Sequence, residues 1–140
     1  MKNLNTEHFI IENRIEEIPL LAEKIERLAE ELNLSGEITM NINLVLEEAL
    51  SNIIFYAFSD KKKHLINISL TVENKNLAII ITDDGMPFDP TLQKEPDTSL
   101  PVEERPVGGL GILLISKIMD TVTYSRDKNL NILTLTKHLK

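Results

Sequence analysis

The apolar spacing of this chain changes period near residue 64, and that change restricts the fold more than any other feature. From Ile15 to about Leu34, apolar residues recur at helical spacing: Ile18, Leu21, Ala22, Ile25, Leu28, Ala29, Leu32. Pro19 suits a first turn, and Gly36 breaks the pattern. Ile38 to about Phe58 gives a second helical stretch, with Ile42, Val45, Leu46, Ala49, Ile53 and Ala57 along one side and Ser35 or Gly36 as its cap. Beyond residue 64 the period falls to two. Ile66, Ile68, Leu70 and Val72 alternate with Leu65, Asn67, Ser69 and Thr71, as in a strand with one buried face. Leu77 to Thr82 is almost continuously apolar, which predicts a central strand, and residues 73–76 turn between the two as a hairpin.

The remaining segments complete an order. Residues 7–12 read as a short first strand, Gly111–Met119 as a helix, and Thr121–Arg126 with Asn131–His138 as a hairpin around Asp127-Lys128-Asn129. Residues 84–107 have no period, are rich in proline, and exceed an ordinary connection, which marks a functional loop. Strand, two helices, two strands, long loop, helix, two strands is not the alternation of a doubly wound sheet. It predicts an α+β fold, a two-layer α/β sandwich whose mixed, mostly antiparallel sheet is covered on one face by about three helices. A length of 140 residues with 42% hydrophobic content suits one domain, residues 1–140.

Charge and composition exclude several roles. The net charge of −7 leaves no basic face for nucleic acid, and the one basic cluster, Lys61-Lys62-Lys63-His64, reads as a solvated turn. With no cysteine there is no disulfide, thiolate metal site or thiol nucleophile. No apolar run approaches the roughly 20 residues of a membrane span, and the N-terminus lacks a signal-peptide pattern, so a soluble cytoplasmic protein is expected.

Three motifs carry chemistry. In Glu47-Glu48-Ala49-Leu50-Ser51-Asn52, Glu48 and Asn52 lie four apart on one helix face. A carboxamide oxygen is a hard neutral ligand for Mg²⁺, and a carboxylate one turn away can accept a proton. By itself this spacing is common by chance. In Ile79-Ile80-Ile81-Thr82-Asp83-Asp84-Gly85, a buried strand ends in an acceptor suited to the exocyclic amine of adenine, although Asp-Gly also favours a plain turn. In Val107-Gly108-Gly109-Leu110-Gly111-Ile112, three glycines open a helix whose free N–H groups and dipole attract phosphate. It is neither Gly-x-Gly-x-x-Gly nor a Walker loop.

Together, in this order, the motifs resemble the GHKL superfamily, which contains gyrase, heat-shock chaperone ATPases, sensor histidine kinases and MutL. Glu48 to Asn52 resembles its N box, Asp83-Asp84-Gly85 its G1 box, and Gly109-Leu110-Gly111 its G2 box, with residues 86–107 as the ATP lid. Within the superfamily the chain is most similar to the anti-sigma-factor serine kinase branch. That similarity rests on Leu46-Glu47-Glu48-Ala49-x-Ser51-Asn52, on Asp84-Gly85-Met86-Pro87-Phe88-Asp89-Pro90, and on Gly108-Gly109-Leu110-Gly111-Ile112.

The resemblance implies the Bergerat fold, ATP and Mg²⁺. It implies Glu48 as general base toward a serine of a partner, Asn52 as the metal ligand, and Asp83 as the acceptor for the adenine amine. It implies that Gly85 admits the base and that Gly108, Gly109, Leu110 and Gly111 line the phosphates, with Arg105 meeting a phosphate as the lid closes. It implies a STAS-type anti-anti-sigma partner, a sigma factor held in the other state of the switch, and a homodimer face on the first strand and helix. The alternative is an ATP-binding module that sequesters a partner without transferring phosphate. Three positions depart from the branch. Tyr56 stands where histidine is frequent, Asn131 stands where a threonine often supports the adenine carboxylate, and residues 94–106 are acidic and proline-rich. Asparagine both donates and accepts, so Asn131 is expected to keep that role.

Overall fold

In three dimensions the change of period becomes two layers. The computed structural model describes residues 4–89 and 109–139. The elements are β1 (Leu4–Glu12), α1 (Glu17–Glu31), α2 (Gly36–Tyr56), β2 (Leu65–Glu73), β3 (Asn76–Asp83), α3 (Gly109–Ile118), β4 (Thr121–Asp127) and β5 (Leu130–His138). The helix expected from Gly111 therefore starts at Gly109, so Gly109 and Gly111 are its first and third residues. Arg105, Gly108 and most of the expected lid lie outside the described residues.

Local chemistry sets the helix ends. Asn33 takes a left-handed conformation at φ 56°, with Leu34 N–H donating to Ala29 O and Asn33 N–H to Glu30 O. This glycine-free Schellman stop satisfies two end carbonyls of α1. Two residues later Ser35 caps α2 by accepting from Ile38 N–H at 3.1 Å. The β4–β5 turn uses positive φ at both Lys128 and Asn129, the twist a two-residue hairpin needs.

The five strands lie in the order β1-β2-β3-β5-β4, with β3 central as its apolar run predicts. Every described pairing is antiparallel, which corrects the expectation of a mixed sheet. The reason is topological. The two helices between β1 and β2 return the chain antiparallel, while the single helix α3 returns it parallel to β3. β5 then folds back into the gap between β3 and β4, so the parallel strands never become neighbours.

Ile66, Ile68, Leu70 and Val72 of β2, and Leu77, Ile79 and Ile81 of β3, face the helices and are buried. They pack on Leu21 and Ile25 of α1, Val45, Leu50 and Ile53 of α2, and Ile112 and Ile115 of α3. Val45, Leu50, Ile66, Ile79 and Leu135 reach 0% exposure, so this is one continuous core. At about 25 cal/mol per Å² of apolar surface, such burial holds the layers together. Among the described residues no helix is long and apolar enough to cross a membrane.

Candidate nucleotide site

The inward-facing row of β3 runs Leu77, Ile79, Ile81 and then Asp83. That of β5 runs Leu135, Leu133 and then Asn131, and Asp83 and Asn131 are direct cross-strand partners. Both core stripes thus turn polar at the same edge. On the far side Arg126 of β4 pairs with Asn131, so Asp83, Asn131 and Arg126 form one rung across three strands. Parity alone places Asp83 inside, at 3% exposure, and its neighbour Asp84 outside.

A pocket opens against this rung, lined by Ala49, Asn52, Ile53 and Ala57 of α2 and its end, Asp83, Phe88, Ile115, Tyr124, Asn131 and Leu133. It is a largely apolar slot with a few polar groups at one wall, the composition of a small-molecule site. Asn131 is fully engaged. Its amide donates to Asp83 Oδ1 at 3.0 Å and to Met86 O at 2.9 Å, while its oxygen accepts from Tyr124 OH and from Arg126 Nη1 at 3.1 Å. Arg126 Nη1 also donates to Gly85 O at 2.8 Å.

Asp83 Oδ1 accepts a second bond, from Gly85 N–H at 2.9 Å. Among the described residues Oδ2 receives none, so one oxygen of a buried carboxylate remains an open acceptor. Burial pushes the Asp83 carboxyl above its ordinary range, opposed by the Asn131 and Gly85 bonds and by the Arg126 charge.

Asn52 is buried at 6% exposure, lines the pocket, and has no side-chain hydrogen bond among the described residues. Glu48 lies one helical turn before it on α2, half-buried and outside the pocket lining. Gly85 has a different neighbour from the one expected. A Cβ there would meet Ala57 O at 2.5 Å, and Met86 N–H donates to that same oxygen at 2.8 Å. The missing side chain admits the end of α2. Tyr56 stacks on Phe88, with centroids 5.8 Å apart.

Sequence reasoning did not single out Tyr124 or Arg126, gave Phe88 and Ala57 no place in the site, and read His64 as part of a solvated turn. His64 is instead a clasp. Its Nε2 meets the Asp60 carboxylate at 2.8 Å and its Nδ1 meets Asp84 Oδ1 at 2.9 Å, with the ring stacked on Phe58. Lys63 pairs with Glu12 at 3.1 Å. The strand register carried a signal for Arg126, since it faces Asn131, but only once β4 and β5 are paired.

Comparison with known proteins agrees with this geometry. Residues 11–137 match the family model described as the histidine kinase-like ATPase domain. The serine/threonine-protein kinase BtrW of Bordetella bronchiseptica is 29% identical over 114 residues, covering 81% of this chain and 80% of that protein. The serine-protein kinase RsbW of Bacillus thuringiensis is 30% identical over 104 residues, 71% of this chain and 64% of that one. The RsbW of Halalkalibacterium halodurans is 28% identical over 120 residues, 83% of this chain and 72% of that one. Among solved structures, the Acinetobacter baumannii histidine kinase AdeS has a TM-score of 0.52 at 21% identity, over 99% of this chain and 69% of that chain, which speaks to the fold. With the family model spanning nearly the whole sequence, the chain belongs to the histidine kinase-like ATPase domain family.

Proposed function

We propose that this protein kinase uses ATP to phosphorylate a serine on a STAS-type anti-anti-sigma partner, and so acts as an anti-sigma regulator in the cytoplasm. The observation that carries the reading is the open acceptor oxygen of buried Asp83 at the wall of an apolar pocket. It matches the exocyclic amine of adenine, with the base lying between α2 and the sheet. Gly109, Leu110 and Gly111 begin α3, so the free N–H groups of its first turn suit the phosphates. Arg105 and Gly108 belong to the same assignment.

Asn52 fits Mg²⁺: its carboxamide is buried, unpartnered among the described residues, and hard. Among the described residues no cluster of three acidic or histidine ligands exists, which suits an ion that takes its other ligands from phosphate and water. Bound there, the ion would neutralise phosphate charge. Glu48 would accept the proton of the serine hydroxyl as its oxygen bonds to the γ-phosphorus and ADP leaves. The new phosphate would add negative charge to the partner's docking surface and release it, freeing the kinase to hold a sigma factor. Exposed Ile10 and Leu20 on β1 and α1 suit a homodimer face.

A second reading is an ATP-binding module that sequesters its partner without transfer. Labelled ATP incubated with candidate STAS proteins separates the two. Label on a partner serine, lost in Glu48→Ala while ATP still binds, supports the kinase. Tight ATP binding with no transfer to any of them supports the module, and free phosphate without a partner supports neither.

A further inference from the structure

The lysines between α2 and β2 are not a loose turn. Asn13 holds the segment on two sides. Its backbone N–H donates to His64 O at 3.0 Å, its side-chain amide donates to Lys62 O at 3.1 Å, and its side-chain oxygen accepts from His64 N–H at 3.0 Å. Asp60 accepts from Lys62 N–H at 3.0 Å, and the His64 clasp anchors the end of the segment. Lys61 is held at φ 57°, a conformation that lysine rarely adopts. Exposed charge is thus carried on an ordered backbone. Lys61, Lys62, Lys63 and Arg14 line one groove of about 430 Å³, whose apolar wall is Ile54 and Phe58. Glu12 is the one carboxylate in that lining, and Lys63 and Arg14 already share it at 3.1 Å and 2.9 Å. Lys61 and Lys62 have no ion-pair partner among the described residues.

We propose that this groove docks an acidic segment of the protein whose serine is phosphorylated, with its carboxylates on Lys61 and Lys62 and an apolar side chain on Ile54 and Phe58. The inference rests on the kinase reading above. Ile53 and Ala57 line the nucleotide pocket while Ile54 and Phe58 line the groove, so the two sites occupy different sides of one helix end. Ile54 follows Glu48 by six residues, about 9 Å along the axis of α2, so a protein seated here reaches the transferring phosphate. The net charge of −7 selects the occupant. Nucleic acid and anionic lipid need a broad basic face, and the rest of this surface repels them. Four cations hemmed by Glu12 and Asp60 fit a short run of carboxylates instead. An ordered backbone loses less freedom when that run binds.

The test is the KM for a STAS protein that the wild type labels, measured on the full chain with labelled ATP. Lys61→Glu/Lys62→Glu is expected to raise that KM about tenfold or more at low salt, with kcat and the KM for ATP kept within about twofold. Added salt should raise the wild-type KM and leave that of the variant nearly level. Lys75→Glu/Lys128→Glu makes the same change of net charge in the β2–β3 and β4–β5 turns, and should keep the KM for the STAS protein within about twofold. All four lysines are exposed, so both variants are expected to fold. An unchanged KM in Lys61→Glu/Lys62→Glu, or an equal rise in the control pair, overturns the proposal. So does an unchanged KM joined to lost binding of phosphatidylserine vesicles, which assigns the patch to a membrane surface. If the wild type labels no STAS protein, the kinase reading fails and the inference with it. If it labels one and the KM ignores Lys61 and Lys62, the inference alone fails.

Discussion

A Cβ on Gly85 would lie 2.5 Å from the Ala57 carbonyl oxygen and 2.6 Å from the Ala57 side chain. Backbone cannot yield cheaply there, because Met86 N–H bonds the same carbonyl. Gly85→Ala should destabilise by about 1–3 kcal/mol, the usual cost of overpacking, and should be read by thermal melting. Its neighbour Asp83 makes the opposite prediction for stability. Its folded pKa is raised by burial, so the ionised form is disfavoured in the fold at neutral pH, and stability rises as pH falls through that raised value. Asp83→Asn should therefore melt at or above the wild-type temperature near pH 7.5, with the advantage shrinking toward the ordinary carboxylate range. The same substitution should weaken ATP by about tenfold to a hundredfold in calorimetry, because the pocket loses its charged acceptor. At this scale part was legible: the strand end at Asp83-Asp84-Gly85 and the shared helix face of Glu48 and Asn52 could be read directly, while their roles came only from the family resemblance. Arg126 was not, because an arginine ending a strand has no meaning until its cross-strand partner is known.

Elements are joined by short polar devices. The Asn33 stop and Ser35 cap turn α1 into α2 with no long loop. Ser35→Ala should cost about 1 kcal/mol, measured by urea unfolding with unchanged slope. A second device ties the segment after α2 to the end of β3 through His64. The His64 pKa is raised, first by the hydrogen bond to Asp60; burial opposes this, and Asp84 adds to the rise. A raised folded pKa means this contribution is complete below about 6.5, the ordinary histidine value, and is lost as pH rises through the higher folded value. Wild type should thus lose more melting temperature between pH 6 and pH 8.5 than His64→Gln does. An equal loss in both would show that the clasp is idle. Asp60 and Asp84 are substantially exposed, so solvent screening keeps the effect small. The sequence placed the elements themselves because their periods are local. It misread His64, since the clasp joins residues up to 20 positions apart through a fold not yet formed.

Over the whole molecule, the two-layer arrangement was readable from the order of periods, because a one-faced helix and a one-faced strand can bury their apolar sides only against each other. Local pattern also determined which side chains of β2 face inward, whereas the almost continuous apolar run of β3 left to the packing which of Asp83 and Asp84 turns to the core. What the tertiary structure decided was adjacency. β5 enters between β3 and β4, which makes every described pairing antiparallel and brings Asn131 beside Asp83 across 48 residues of sequence. That insertion also sets Tyr124 at the pocket wall and Arg126 against Asn131. Strand order depends on where a returning strand finds both an open edge and an apolar layer to cover, a global competition that no short stretch of sequence records. The sequence by itself thus specified the periods and the three motifs, while non-local pairing assembled Asp83, Asn131 and Arg126 into one hydrogen-bonded rung.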